Sequence, residues 1–248
     1  MKNKEKKWRK PNSVFSSVSL WIETLSMDKK KQLTLIAVLV IVLVLIVDQA
    51  SKIWVKTHMY LGEEIEITSW FRILFVENNG MAFGMEVIGK MFLSLFRIIA
   101  VGFIGYYIYT LIKRGYSKGF VVCIALIWAG AFGNIIDCVF YGEIFSESLP
   151  AMKNSYGEVV IPGQVAEFVS VGNGYSSWLH GKVVDMLSFP LFSGTYPSWF
   201  PKVGGESFTF FSPIFNIADS AITVGIFILI LFYRKTLSMS LEKEKKVA

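Results

Sequence analysis

The sequence predicts an α-helical integral membrane protein, with four transmembrane helices and a small extracytoplasmic region of strands and loops. Three observations carry this reading. The 248 residues are 53% apolar and only 18% charged, with a mean hydropathy of +0.50, whereas soluble domains hold roughly 45–50% apolar and ~25% charged residues. Four apolar runs are long enough for a bilayer core about 30 Å thick, which needs roughly 20 helical residues. The Lys and Arg residues behind the net charge of +6 sit in short clusters beside those runs. That is the pattern of membrane orientation, not of a face that binds nucleic acid. Two Cys exclude a disulfide scaffold, two His with two Cys argue against a zinc site, and 21 Phe, 10 Tyr and 7 Trp exclude a disordered chain.

The first run extends from Leu33 to about Val55, and Leu33 to Val47 contains no charge. It starts too late and is too long for a cleaved signal peptide. The second covers about Phe92 to Ile112 with Arg97 inside it, and the third about Phe120 to Asp137. The fourth covers about Ile214 to Tyr233, interrupted by Asn216 and Asp219. Residues 1–32 form a basic tail, 33–234 the membrane domain and 235–248 a second basic tail. The link after run two holds Lys113, Arg114 and Lys118, while the loops after runs one and three carry more acids than bases. Both termini are therefore expected in the cytoplasm and both long loops outside. Ile65, Ile67 and Trp70 to Val76 are rich in β-formers and predict a short sheet on the membrane surface. Residues 143–181, polar and rich in Gly and Pro, read as an inserted outer loop, expected to lie off the chemistry.

Four of the five aspartates fall toward one leaflet. Asp48 lies in the outer half of run one, Asp137 at the outer end of run three, Asp185 at the end of the outer loop, and Asp219 about two turns into run four. A carboxylate inside a bilayer is costly and points to a functional site with a named partner. Asp48 has Lys52 at i+4 and can be neutralised there. Asp137 shares a helix face with Asn134, a spacing that suits a structural polar network. Asp185 and Asp219, at similar depth, suit one shared proton, because neighbouring carboxylates push their pKa values apart and leave one as acid and one as base. Other constellations are weaker. Ser51 and Lys52 are adjacent and do not face each other on a helix. His58 and His180 read as surface residues. Gly130 and Gly133 read as small residues that let membrane helices pack closely. Cys123 and Cys138 are about 22 Å apart along one helix, too far for a disulfide.

Five segments, in order, then match a known pattern: Asp48-Gln49-Ala50-Ser51-Lys52, Glu77-Asn78-Asn79-Gly80-Met81-Ala82-Phe83-Gly84, Ala129-Gly130-Ala131-Phe132-Gly133-Asn134-Ile135-Ile136-Asp137, Val183-Val184-Asp185 and Phe215-Asn216-Ile217-Ala218-Asp219-Ser220. Together they resemble the motifs of signal peptidase II, the bacterial lipoprotein signal peptidase family of membrane aspartic proteases. The likeness covers about residues 33–142 and 182–234. It implies a multi-pass protein of the bacterial inner membrane, with its site toward the outer leaflet. The substrate would be a prolipoprotein whose Cys carries diacylglycerol, cut just before that Cys. Asp185 and Asp219 would be the catalytic pair. Asn78, Gly130, Asn134, Asn216 and Asp137 would support the site or hold substrate, and Asp48 and Lys52 would be structural. The resemblance implies no metal and no organic cofactor, a monomer in the phospholipid bilayer, and inhibition by cyclic peptide antibiotics. Two departures stand out. Cys138 replaces the Arg that usually follows the third-run aspartate, and about 40 extra residues separate Asp137 from Asp185. The rival reading is a small transporter or ion-translocating protein that uses Asp219 and Asp48 as ion or proton sites.

Overall fold

Helix α1 (Lys29–His58) starts where the Asp28 side chain accepts from the Lys30 N–H and ends where Met59 turns extended. The computed structural model describes residues 28–79 and 90–245. Residues 1–27 and 246–248 of the tails, and Gly80-Met81-Ala82-Phe83-Gly84 of the second motif, lie outside the described residues. At 1.5 Å per residue the 30 residues of α1 span about 45 Å, more than a bilayer core. The last turns of α1 therefore carry Lys52 and Lys56 up to the sheet. Two more helices, α2 (Lys90–Lys113) and α3 (Lys118–Ile136), follow the second and third runs. After α3 the chain widens into a π-helical segment, Asp137–Tyr141, and a last turn, α4 (Gly142–Ile144). Among the described residues, four helical stretches are each long and apolar enough to cross a membrane: Lys29–His58, Lys90–Lys113, Lys118–Ile144 and Ile217–Glu242.

Helix α3 is central, packed by α1, α2 and α5 (Ile217–Ile228). Small residues allow this. A Cβ on Gly130 would lie 2.2 Å from the Ala218 carbonyl oxygen, and one on Gly225 would lie 2.9 Å from the Cys123 carbonyl oxygen. Close backbone approach of this kind replaces the hydrophobic effect, which does not act between helices in lipid. Around the bundle, Leu39, Leu43, Phe103, Phe227 and Phe232 are exposed, as side chains that meet lipid tails should be.

The β-rich stretch forms β1 (Glu64–Thr68) and β2 (Phe71–Asn78). Two further strands join them, β5 (Val183–Ser188) and β8 (Ile214–Phe215), giving an antiparallel sheet in the order β1-β2-β5-β8. The fourth run therefore does not begin its helix at Ile214. Residues 214–215 pair with β5, and Asn216 then caps α5. At the other end, a π-helical turn, Leu229–Tyr233, leads into α6 (Arg234–Lys245), so the basic C-terminal tail is largely helical.

The inserted segment holds a small hairpin, β3 (Met152–Lys153) with β4 (Val159–Ile161). Isolated bridges Tyr60↔Val165, Leu61↔Pro150 and Phe145↔Phe168 tie it to the end of α1 and to itself. A second hairpin, β6 (Phe192–Thr195) with β7 (Ser207–Phe210), connects β5 to β8. Val55, Met59, Phe75, Tyr141, Phe145, Ala166, Val184 and Met186 form a buried core between the sheet, the end of α1 and the inserted segment.

Candidate active site

Two strands and two helices converge at the sheet end of the bundle. Asp185 lies on β5, which runs antiparallel to β2 with Asp185 opposite Val76 and Val183 opposite Asn78. The residue is 4% exposed. Oδ1 accepts from Asn216 Nδ2 at 2.8 Å and Oδ2 from Asn78 Nδ2 at 3.4 Å. Burial, reinforced by the nearby Asp219 charge, pushes the Asp185 carboxyl up from the usual 3.8 to about 7. A group so placed keeps its proton near neutral pH and can act as an acid.

Asp219 is held from two sides. As the third residue of α5 it completes a capping box with Asn216. The Asp219 N–H donates to Asn216 Oδ1 at 2.9 Å, and the Asn216 N–H donates back to Asp219 Oδ2 at 3.4 Å. Its Oδ1 accepts from Asn134 Nδ2 at 2.8 Å. Asn216, fully buried, thus touches both carboxylates, one through its side chain and the other through its backbone and cap. It also donates to Asn134 Oδ1 at 3.1 Å and to the Val184 carbonyl at 3.3 Å.

Beneath this pair lies a charge cluster with no exposure. Lys52 Nζ is 2.9 Å from each of Asp48 Oδ2, Asp137 Oδ2 and Asn134 Oδ1. Asp48 Oδ1 accepts from the Ala218 N–H at 2.9 Å, and Asp137 Oδ2 from the Val184 N–H at 3.3 Å. The i, i+4 pairing of Asp48 with Lys52 is present, and Asp137 joins it. Both carboxylates share that single ammonium and also hold the backbones that carry Asp219 and Asp185. That placement leaves no free carboxylate at Asp48 for ion binding and removes the basis for the transporter reading.

Gly130 packs against Ala218, next to Asp219. A Cβ on Gly133 would lie 2.7 Å from Asp48 Oδ2. Gln49, which sequence reasoning gave no role, donates to Asp48 Oδ2, Asp137 Oδ1 and the Gly133 carbonyl, and accepts from Tyr141 Oη. Its place in the first motif, beside Asp48, was the available signal. At Cys138 the missing Arg has a neighbour in its stead: Arg97 reaches across from α2, and its guanidinium lies 3.3 Å from Cys138 Sγ. A lone Arg within an apolar run is the trace this leaves in the sequence.

A family model described as signal peptidase (SPase) II matches residues 40–234, a span that takes in all five motifs. The chain belongs to the signal peptidase II family. It is 50% identical over 206 residues to a lipoprotein signal peptidase of Porphyromonas gingivalis, covering 83% of this chain and 85% of that protein. It is 34% identical over 208 residues to one from Amoebophilus asiaticus, covering 81% and 78%. Among solved structures, a bacterial membrane enzyme determined by the in meso method aligns with a TM-score of 0.51 at 27% identity, over 81% of this chain and 88% of that one. The function is accordingly that of a lipoprotein signal peptidase, a protease that acts on prolipoproteins as a multi-pass protein of the bacterial inner membrane.

Proposed function

We propose that the hydrolysis is aspartic. Asp219, half-buried at the start of α5, takes a proton from the attacking water while protonated Asp185 donates to the scissile carbonyl; as the C–N bond then breaks, Asp219 passes its proton to the leaving nitrogen and Asp185 recovers its own from the hydroxyl that becomes the new carboxyl. The observation that carries this is the meeting of both carboxylates on Asn216. Asn216 orients the two groups relative to each other, while Asn134 and Asn78 each hold one of them from outside. Asn78, an exposed residue at the end of β2 beside the pair, and Gly130, at the close crossing of α3 and α5, are assigned to substrate support. Asn134, Asn216 and Asp137 hold the site, and Asp48 and Lys52 anchor it.

The same reading extends to the substrate and the topology. The enzyme cuts a prolipoprotein just before its diacylglyceryl-modified Cys. The lysine-rich tails support a topology with both termini in the cytoplasm and the sheet and catalytic pair toward the outer leaflet. The protein works as a monomer, and cyclic peptide antibiotics of the kind that inhibit the family occupy the substrate's place at the catalytic pair. The test is cleavage of a prolipoprotein peptide by the purified chain in detergent, with and without diacylglycerol on Cys. Product masses should place the cut before the lipidated Cys and leave the unlipidated peptide intact. A cut elsewhere, or equal cleavage of both peptides, contradicts the assignment.

A further inference from the structure

On the face of β2 and β5 turned away from Asp185 lies a second group of buried charges that the chemistry above does not use. Successive strand residues alternate faces. Glu77 and its cross-strand partner Val184 therefore point opposite to Val76 and Asp185. The Glu77 side chain is 3% exposed and stands between two ammonium groups. Lys56, fully buried at the end of α1, contacts Oε1, and Lys182 Nζ lies 2.9 Å from Oε2. The inserted segment closes this group. Ser148 Oγ accepts from Lys56 Nζ at 3.2 Å. Tyr175 and Phe145 lie 4.8 and 5.5 Å from the same ammonium, at cation–π distance. The segment also grips the backbone that enters β5. Tyr175 Oη accepts from the Lys182 N–H at 2.7 Å, three residues before Asp185, and the Gly181 N–H donates to the Cys138 carbonyl at 2.9 Å. The π-helical turn at Asp137–Tyr141 breaks the regular ladder and leaves such carbonyls to outside donors.

We propose that residues 143–181 are a positioning element for the catalytic pair, acting on Asn78 and Asp185 through a latch of buried Lys56 and Glu77 and half-buried Lys182. The inference rests on the assignment of Asp185 as a catalytic acid. Glu77 directly precedes Asn78, and Lys182 directly precedes β5, so the latch fixes both strands where Asn78 meets Asp185. Buried charges of this kind add little net stability but favour one geometry, because any other leaves them unpaired. The inserted segment is thus not a detachable decoration, contrary to what its composition suggests. It supplies the wall without which Lys56 and Glu77 would be hydrated and the strand pair free to shift.

The experiment compares Tyr175→Phe, the Ser148→Ala/Tyr175→Phe double variant and Glu77→Gln with the unmodified chain, all in detergent on a diacylated prolipoprotein peptide. Lys153→Ala, at an exposed position of the same segment, is the control. Displacement of a catalytic group by about 1 Å can lower the rate by about 100-fold. The expected result is a fall in kcat of about 10- to 100-fold for the double variant and for Glu77→Gln, with KM nearly unchanged. The alkaline limb of the pH profile should also move upward, because the Asn78 hydrogen bond holds the Asp185 carboxyl down against burial and Asp219, alongside Lys52 and Asn216. Lys182→Arg should retain activity and Lys182→Met should lose it. Tyr175→Phe alone removes one oxygen from a ring that stays packed, so it reports even if Glu77→Gln fails to fold. An unmodified kcat and pH limb in the double variant overturns the proposal. So does a loss of activity that tracks only the amount of folded protein. Asp219→Asn is run in parallel: if it cleaves, the catalytic assignment fails; if it is inactive while the latch variants are unaffected, the latch alone fails.

Discussion

Replacing Lys52 by Met removes one ammonium from two buried carboxylates. Lys52 Nζ is 2.9 Å from both Asp48 and Asp137, and none of the three side chains is exposed. Met fills most of the volume, so little cavity forms, and the loss falls on electrostatics. Breaking a buried pair from one side costs about 3–5 kcal/mol, because the abandoned charge stays buried. Here two carboxylates are abandoned, and they then repel each other. For a protein of this size about 1 kcal/mol corresponds to roughly 2–4 °C in Tm, so Lys52→Met should lower the Tm by roughly 6–20 °C. The hydrolysis should fall as well, because Asn134 loses the Lys52 contact at Oδ1 while its Nδ2 holds Asp219. Adding Asp48→Asn to Lys52→Met should recover part of the Tm by removing one of the two uncompensated charges. The assay is thermal unfolding in detergent, read with peptide turnover on the same samples. A Tm within about 2 °C of the unmodified chain, with full turnover, would refute the view that one ammonium anchors both halves of the site.

Further outcomes follow from the same geometry. Asn216→Ala removes an N-cap, which costs about 1 kcal/mol; turnover should fall much further, by at least ~100-fold, since the Asp185 carboxylate loses its 2.8 Å donor and the Asp219 backbone loses its cap, and the comparison of Tm with kcat checks it. The Asp185 carboxyl, raised from 3.8 to about 7, retains its proton until the pH passes that value. kcat/KM should therefore fall about tenfold per pH unit above about 7. The same shift gives the native state a proton that the unfolded chain has lost between pH 3.8 and about 7. This group's contribution to stability is complete at the acid end of that window and lost as the pH rises through about 7. For the topology, a reporter fused at residue 160 should read as external and one after residue 240 as internal, and an internal reading at 160 would reverse the orientation.

Much of the bundle was legible because lipid imposes a strong rule: a span needs about 20 apolar residues, and a stretch such as Leu33 to Val47 has few other uses. The acids were legible for the converse reason, since each is costly where it stands. Asp48 with Lys52 could be paired by helix spacing alone. What the sequence hid was non-local. The strand that carries Asp185 pairs with Asn78, 107 positions earlier, and no local signal marks that register. The role of Asn216 as a cap had a trace, an Asn three residues before Asp219, but it lay inside what read as a continuous apolar run. Lys182 carries no local mark, because nothing nearby in sequence distinguishes a solvated lysine from one paired with Glu77. Asp137 seemed to belong with Asn134; only the packing of α1 on α3 brings it to Lys52.

The central claim is that Asp219 as base on the water and Asp185 as acid on the scissile carbonyl act together. The most direct measurement is turnover of a diacylated prolipoprotein peptide by Asp219→Asn and Asp185→Asn, each checked for folding and for binding of a lipopeptide inhibitor. Asn preserves the shape of each side chain, keeps one of its two acceptor oxygens, and cannot cycle a proton. Both variants should bind the inhibitor and lose at least about 10²–10⁴ in rate. Full turnover in Asp219→Asn would contradict the aspartic mechanism.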